Sequence, residues 1–307
     1  GKVYTIEAGF LSHIEHTRNL SVIDAKLIEN RNFTVVVDAV NGAASQALPA
    51  MLESLGCTVY KLYCTANGKF PRGAEPLHDH LTQLGKIVVE KKADVGFATD
   101  PDGDRLAVVN EEGNALGEEY TLTICADGFL SFTSSTIPLV TNLSTTLALD
   151  RVAEKHGSSV IRSAVGEINV VNQMKEVGAL LGGEGNGGVI LKESHYGRDS
   201  LVGATLFLNR MAQDSRSVST IFQSMPQYFM LKDKIVLKSP HVESVLEKIQ
   251  PKFLDAQIDT QDGLKISLQN SWVHIRKSNT EPIIRIYAEA STKTKVEILM
   301  DKVKSAL

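Results

Sequence analysis

Apolar positions along this chain come in short clusters whose spacing switches between the period of a strand and that of a helix. Phe33-Thr34-Val35-Val36-Val37-Asp38 is a β-rich run ending in Asn41-Gly42-Ala43-Ala44. Leu48, Met51, Leu52 and Leu55 follow at helical spacing, with Gly56 as the stop, and Cys57 to Leu62 is the next strand. Strand, helix, strand opens a parallel α/β layer. After a Pro71 to Pro76 loop, Leu77 to Lys92 predicts a second helix with Leu81, Leu84, Val88 and Val89 inward. Val95 to Ala98 and Leu106 to Val109 are apolar runs bounded by charge, and each reads as a buried strand. A helical stretch from Glu118 to about Phe132 closes the unit.

The rhythm then repeats, without a residue-level repeat. Ile137 to Thr141 predicts a strand, Thr145 to His156 a helix, Ser159 to Arg162 a strand, and Val165 to Val177 a turn and helix. Leu180-Leu181 leads through a glycine-rich stretch into the strand Val189-Ile190-Leu191, with a helix from Leu201 to Met211 behind it. Near Met225-Pro226-Gln227 the character changes, and the last segment reads as helix, three strands and helix. Its first helix carries Val242, Val245, Leu246 and Ile249. The strands are Leu264 to Leu268, Trp272 to Ile275 and Ile283 to Tyr287, and the closing helix aligns Val296, Leu299, Met300, Val303 and Leu307. The first twenty or so residues show no clear pattern and read as a linker.

Composition narrows the class. A chain of 307 residues is long for one domain and implies two or three. Its net charge of -4 offers no basic footprint for nucleic acid, and no apolar run reaches the length of a membrane span. Cys57, Cys64 and Cys125 lack metal-type spacing and read as buried reduced thiols of a cytoplasmic protein.

Three loops carry the chemistry. In Asp100-Pro101-Asp102-Gly103-Asp104-Arg105, alternate carboxylates converge from a strand-to-strand loop, which calls for a neutralising cation. All-oxygen ligands select a hard ion, Mg²⁺ or Ca²⁺. An EF-hand is excluded, because its sixth loop position needs Gly where Arg105 stands, and strands flank the loop. Arg105 offers a fork for a phosphate on the metal. Gly182-Gly183-Glu184-Gly185-Asn186-Gly187-Gly188 contains a G-x-G-x-x-G, but a strand follows where the dinucleotide fingerprint needs a helix. Glu184 and Asn186 suit a polyhydroxylated ligand such as a sugar. Arg276-Lys277-Ser278-Asn279-Thr280-Glu281-Pro282 makes a compact oxyanion receptor.

These loops, in this order, resemble the α-D-phosphohexomutase family: phosphoglucomutases, phosphomannomutases and phosphoglucosamine mutases. The resemblance runs from about Val22 to Leu307. It implies two related three-layer α/β domains with mixed sheets followed by a smaller α+β C-terminal domain. The expected divisions are a linker at 1–21, a metal-binding domain at 22–135, a sugar-binding domain at 136–229 and a phosphate-binding domain at 230–307. The family's first domain, which carries a phosphorylated serine, has no counterpart here, so the chain is expected to be inert alone. By resemblance Asp100, Asp102 and Asp104 ligate Mg²⁺, and Arg105 steadies the transferring phosphoryl group. Glu184 and Asn186 hold sugar hydroxyls, while Arg276, Ser278, Asn279 and Thr280 anchor the non-reacting phosphate. The implied partners are a glucosamine, mannose or glucose phosphate and a hexose bisphosphate, with no nucleic acid or membrane. Several relatives place a His shortly after the sugar-loop glycine where this chain has Gly188, so no proton-transfer residue is assigned. The alternative is a sugar-phosphate-binding protein without catalysis.

Overall fold

Alternation of side chains across a strand places half of each apolar run on either face, so both faces need a cover. The computed structural model describes residues 1–2, 9–236, 249–253, 255–278 and 283–305. Helices α1 (Phe10–Arg18) and α2 (Ala25–Arg31) lead into β1 (Thr34–Asp38), α3 (Ala44–Ser54), β2 (Thr58–Leu62), α4 (Thr82–Lys91), β3 (Val95–Thr99) and β4 (Leu106–Asn110). The sheet order is β2-β1-β3-β4, with β1 parallel to β2 and β3 and the β3–β4 hairpin antiparallel. After α5 (Glu119–Thr133), the second unit runs β5 (Leu139–Asn142), α6 (Ala148–Lys155), β6 (Val160–Ser163), α7 (Glu167–Val177), β7 (Leu181–Glu184), β8 (Gly188–Leu191) and α8 (Ser200–Ala212). Its order, β6-β5-β7-β8 with only the last pair antiparallel, copies the first.

The two units share one core. Val35, Val37, Phe97 and Val108 from the first sheet and Leu181, Val189 and Leu191 from the second belong to a single apolar cluster with α3, α5 and α8. Phe97 meets Phe207 edge to face, with ring centroids 5.8 Å apart. The outer faces are covered separately, by α4 over Val36, Ala98 and Val109 and by α7 over Val140 and Ile190. The sheets also touch edge to edge. Leu106 N donates to Gly187 O at 3.0 Å, and Arg105 bridges Gly188 in antiparallel fashion. Gly187 is glycine for cause: its φ is +91°, and a Cβ there would stand 2.4 Å from Leu106 O. The acidic and glycine-rich loops are thereby locked side by side.

The C-terminal unit is a five-stranded antiparallel sheet, β10-β11-β12-β13-β9, with α10 (Lys293–Lys304) packed on it. Its strands are β9 (Phe229–Val236), β10 (Gln257–Asp259), β11 (Leu264–Leu268), β12 (Ser271–Lys277) and β13 (Ile283–Ala290). Sequence reading expects three of them. The charges of Lys232-Asp233-Lys234 hide β9, which is held by backbone pairing with β13 along its length. Three-residue β10 is too short to show a period.

Other local differences have equally plain causes. The patternless lead-in contains α1, whose Ile14 and Thr17 are buried while most of its surface is polar. Six-residue α9 (Val218–Gln223) rests on its Ser217 cap rather than on a long periodic stripe. The Leu77 to Lys92 helix begins as a 3₁₀ turn, His78–Leu81, before α4, and Val89 is 53% exposed rather than inward. The helix expected around Val242, Val245 and Leu246 lies outside the described residues, as does Leu307.

Candidate active site

The acidic loop is the β3–β4 connection, and its ends are anchored from below. Arg72, nearly fully buried, donates to Asp38 Oδ2 at 2.7 Å and to Thr99 O at 2.5 Å. It thereby ties the end of β1 to the residue that precedes Asp100. The structure brings Asp100, Asp102 and Asp104 together, with ligand oxygens within 4.8 Å of one another. Asp100 is 1% exposed, and its Oδ1 accepts the N–H groups of Asp104 and Arg105, each at 3.1 Å. Asp100 Oδ2 and Asp104 Oδ1 are buried with no hydrogen-bond partner among the described residues. Burial pushes the Asp100 carboxyl above its ordinary value; the Arg105 N–H offsets part of that rise and Asp104 adds to it. Three carboxylates gathered this closely, two of their oxygens buried without a hydrogen bond and neighboured by the Arg105 guanidinium, fit a hard cation.

Arg105 lines a cleft of about 420 Å³. Its Nε lies 2.8 Å from Asp100 Oδ2, and its terminal nitrogens are held by Glu75. Glu184, Asn186 and Arg276 line the same cleft, so side chains from three sheets meet there. Glu184, at the end of β7, is 3% exposed. Its Oε1 accepts from Asn142 Nδ2 at 2.8 Å, and its Oε2 from Asn186 Nδ2 at 3.4 Å. Arg276 approaches Asp262 Oδ2 at 3.5 Å. Ser278 is buried, with its N–H donating to Ile283 O at 2.9 Å. Asn279 and Thr280 lie outside the described residues.

Sequence reading missed several cleft residues. Lys232 on β9 lies 2.6 Å from Glu118 Oε1 and 3.4 Å from Glu119 Oε1, over the face of Tyr287. Burial alone would lower its pKa, but the two carboxylates outweigh that and raise it. Burial pushes the Glu119 carboxyl up to about 8, partly offset by Lys232. Glu118 and Glu119 read only as a helix start in sequence, and Lys232 sits in a segment with no visible period. Arg198 was also missed. It stands beside His195 in an ordinary-looking loop, and only the fold carries it to Asp104 and Glu184. His195 lines a neighbouring hollow of about 340 Å³ with His13, Asp102, Asp104 and Arg198. Glu167 accepts the Arg198 backbone N–H at 2.8 Å.

Residues 8–113 match the family model for phosphoglucomutase/phosphomannomutase α/β/α domain II, 118–229 that for α/β/α domain III, and 232–306 that for the C-terminal domain. The chain belongs to the phosphohexomutase family. It is 35% identical over 290 residues to a phosphoglucomutase/phosphomannomutase of Thermococcus kodakarensis, covering 92% of this chain and 62% of that protein. A phosphoglucomutase/phosphomannomutase family protein from Burkholderia thailandensis superposes with a TM-score of 0.78 at 25% identity, over 92% of this chain and 63% of its own. The Aspergillus fumigatus N-acetylphosphoglucosamine mutase, solved with GlcNAc-6P and magnesium, shares the fold at a TM-score of 0.67 and 13% identity, over 100% of this chain and 67% of its own. The chain thus spans about three fifths of the length of the Thermococcus relative.

Proposed function

We propose that this chain forms the metal-, sugar- and phosphate-binding part of a phosphohexomutase that interconverts hexose 1-phosphate and hexose 6-phosphate. A serine outside the chain would carry the phosphoryl group, and a hexose bisphosphate would be the intermediate. The observation that carries this reading is the meeting of Arg105, Glu184, Asn186 and Arg276 in one cleft, with the clustered carboxylates of the acidic loop next to it. Asp100, Asp102 and Asp104 would hold Mg²⁺, which supplies charge neutralisation to a phosphoryl group in transfer.

The chain's own residues do the positioning. Arg276, with the buried Ser278 and its loop, anchors the phosphate that does not react. Glu184 and Asn186 orient the sugar by its hydroxyls. Arg105, freed from Glu75, presents a planar fork to the reacting end. Remote phosphate binding provides orientation, which is where most of the catalytic advantage in such a reaction lies. Under this reading residues 22–135 supply the metal site, 136–229 the sugar site and 230–307 the phosphate site. Its substrate is a glucosamine, mannose or glucose phosphate; the Thermococcus and Aspergillus relatives are named for enzymes of these classes.

Calorimetric titration tests the reading. The chain should bind Mn²⁺, as a Mg²⁺ surrogate, and separately glucose 1-phosphate. Asp102→Asn should weaken the first alone and Arg276→Ala the second alone. The chain by itself should turn nothing over. Absence of both binding events refutes the proposal, and robust turnover refutes placing the serine elsewhere.

A further inference from the structure

Arg198 precedes the N-cap of α8, and its backbone is pinned from both sides. Its N–H donates to Glu167 Oε1 at 2.8 Å. The next residue, Asp199, donates its N–H to Val189 O at 3.0 Å and caps α8 by accepting from Leu201 N and Val202 N. From this fixed root the side chain runs directly over Gly188. A Cβ at 188 would stand 2.2 Å from Arg198 Cδ and 2.9 Å from Cγ, so position 188 has room for Arg198 only while it lacks a side chain. The guanidinium then divides. Nη2 donates to Asp104 Oδ2 at 2.5 Å and Nη1 to Glu184 Oε2 at 2.8 Å. The side chain is 16% exposed, so both contacts are made largely out of water.

Resting on the proposed function above, we propose that Arg198 is a positioning residue that couples the metal loop to the sugar loop. Holding Asp104 by Oδ2 leaves the other oxygen, Oδ1, to the locus shared with Asp100 Oδ2; neither of those atoms accepts a hydrogen bond, and Arg105 Nε stands 3.7 Å from the first and 2.8 Å from the second. Holding Glu184 by Oε2 sets the carboxylate that faces the sugar. One cation hydrogen-bonds two carboxylates on two different sheets, with Glu167 Oε2 a looser neighbour 3.6 Å from its Nε, and its planar fork spans the two in a way a point charge does not. Weakening its hold on one carboxylate concentrates its charge on the other. When Glu184 loses its charge, Arg198 binds Asp104 more tightly and competes with the metal for that ligand. Among the described residues Glu184 accepts from Asn142, Gly166, Asn186 and Arg198, and of these side-chain and backbone donors Arg198 is the one that also holds the acidic loop.

The test is a thermodynamic cycle read as Mn²⁺ affinity by calorimetry, with folding of each variant checked by thermal melting. Glu184→Gln should weaken Mn²⁺ binding about fivefold or more in the natural background, the lower end of typical coupling between linked sites. It should change nothing in an Arg198→Met background. Arg198→Lys keeps the charge but loses the fork, so in that background too the effect of Glu184→Gln should vanish. It also serves as the informative variant if Arg198→Met does not fold. A general structural role would make the substitutions additive. Equal weakening in all backgrounds, or none in any, overturns the coupling and leaves the metal site standing. Full coupling in Arg198→Lys overturns the fork. A natural chain that takes no Mn²⁺ overturns the metal reading and this inference with it.

Discussion

Arg72→Met removes the guanidinium that joins Asp38 to Thr99 beneath the acidic loop. Asp38 and Arg72 side chains are 1% and 5% exposed, and Arg72 makes both a 2.7 Å ion pair and a 2.5 Å bond to Thr99 O. Burial already pushes the Asp38 carboxyl upward, and Arg72 is the main opposing influence. Methionine matches the stem but leaves an uncompensated buried carboxylate and an unpaired carbonyl. Breaking such a pair from one side destabilises by about 3–5 kcal/mol. With a urea slope of about 2–3 kcal/mol per molar, the midpoint for the shared core should fall by about 1–2 M. Asp38→Asn on top of Arg72→Met removes the stranded charge and should recover about half of the loss or more. Urea titrations followed by circular dichroism measure both variants, and Mn²⁺ titration of the folded Arg72→Met chain should show weaker binding because Thr99 is no longer tethered. A single-variant loss under about 1 kcal/mol, or a double variant as unstable as the single, refutes the reasoning.

Three further outcomes follow from the geometry. Gly188→Ala should displace Arg198 and weaken glucose 1-phosphate binding about tenfold by calorimetry, a loss of the order typical for mispositioned supporting contacts; an unchanged affinity means that Arg198 does not set Glu184. Between α1 and α8, burial works against charge on Asp199, but hydrogen bonds from His13 and His195 outweigh it and hold its carboxyl below the usual range, while Asp199 raises His13. The lowered acid contributes above about pH 4 and the raised imidazole below about pH 6.5, so this latch is strongest between those values. A His13→Ala melting profile should therefore differ most from the natural chain in that window and converge at higher pH. Burial lowers His274 to about 4, and it sits neutral between Ser144 Oγ and Asp262 O. Stability of the C-terminal unit should be whole above about pH 6.5 and fall by roughly 3 kcal/mol as the pH drops toward 4. His274→Asn should flatten that acid limb in scanning calorimetry.

Local signals are the ones legible in the sequence. Strands β1, β3, β4 and β8 are apolar runs too short for helices and bounded by charge or glycine, and each lies where the runs predict. Asp100, Asp102 and Asp104 come together because they alternate along one tight turn that closes on itself through the Asp104 and Arg105 N–H bonds to Asp100 Oδ1. Glu184, Asn186 and Arg276 were legible as unusual side chains in glycine-rich or polar loops, and the fold brings them to one cleft. Where the signal is not local, sequence reading failed. Strand β9 owes its state to eight pairings with β13, not to its own charged residues. Arg198, Lys232 and Glu119 look unremarkable in the chain and reach the candidate site only when sheets from distant segments meet.

What the sequence determined by itself was most of the α/β elements and the residue content of the three polar loops, since period, turn residues and ligand types act over a few neighbouring positions. Tertiary structure alone decided that two α/β units share one core, that Gly188 stays bare beneath Arg198, and that one guanidinium reaches both Asp104 and Glu184. Those contacts span up to 94 residues of chain, and their energies come from desolvation and shape that no stretch of sequence carries alone.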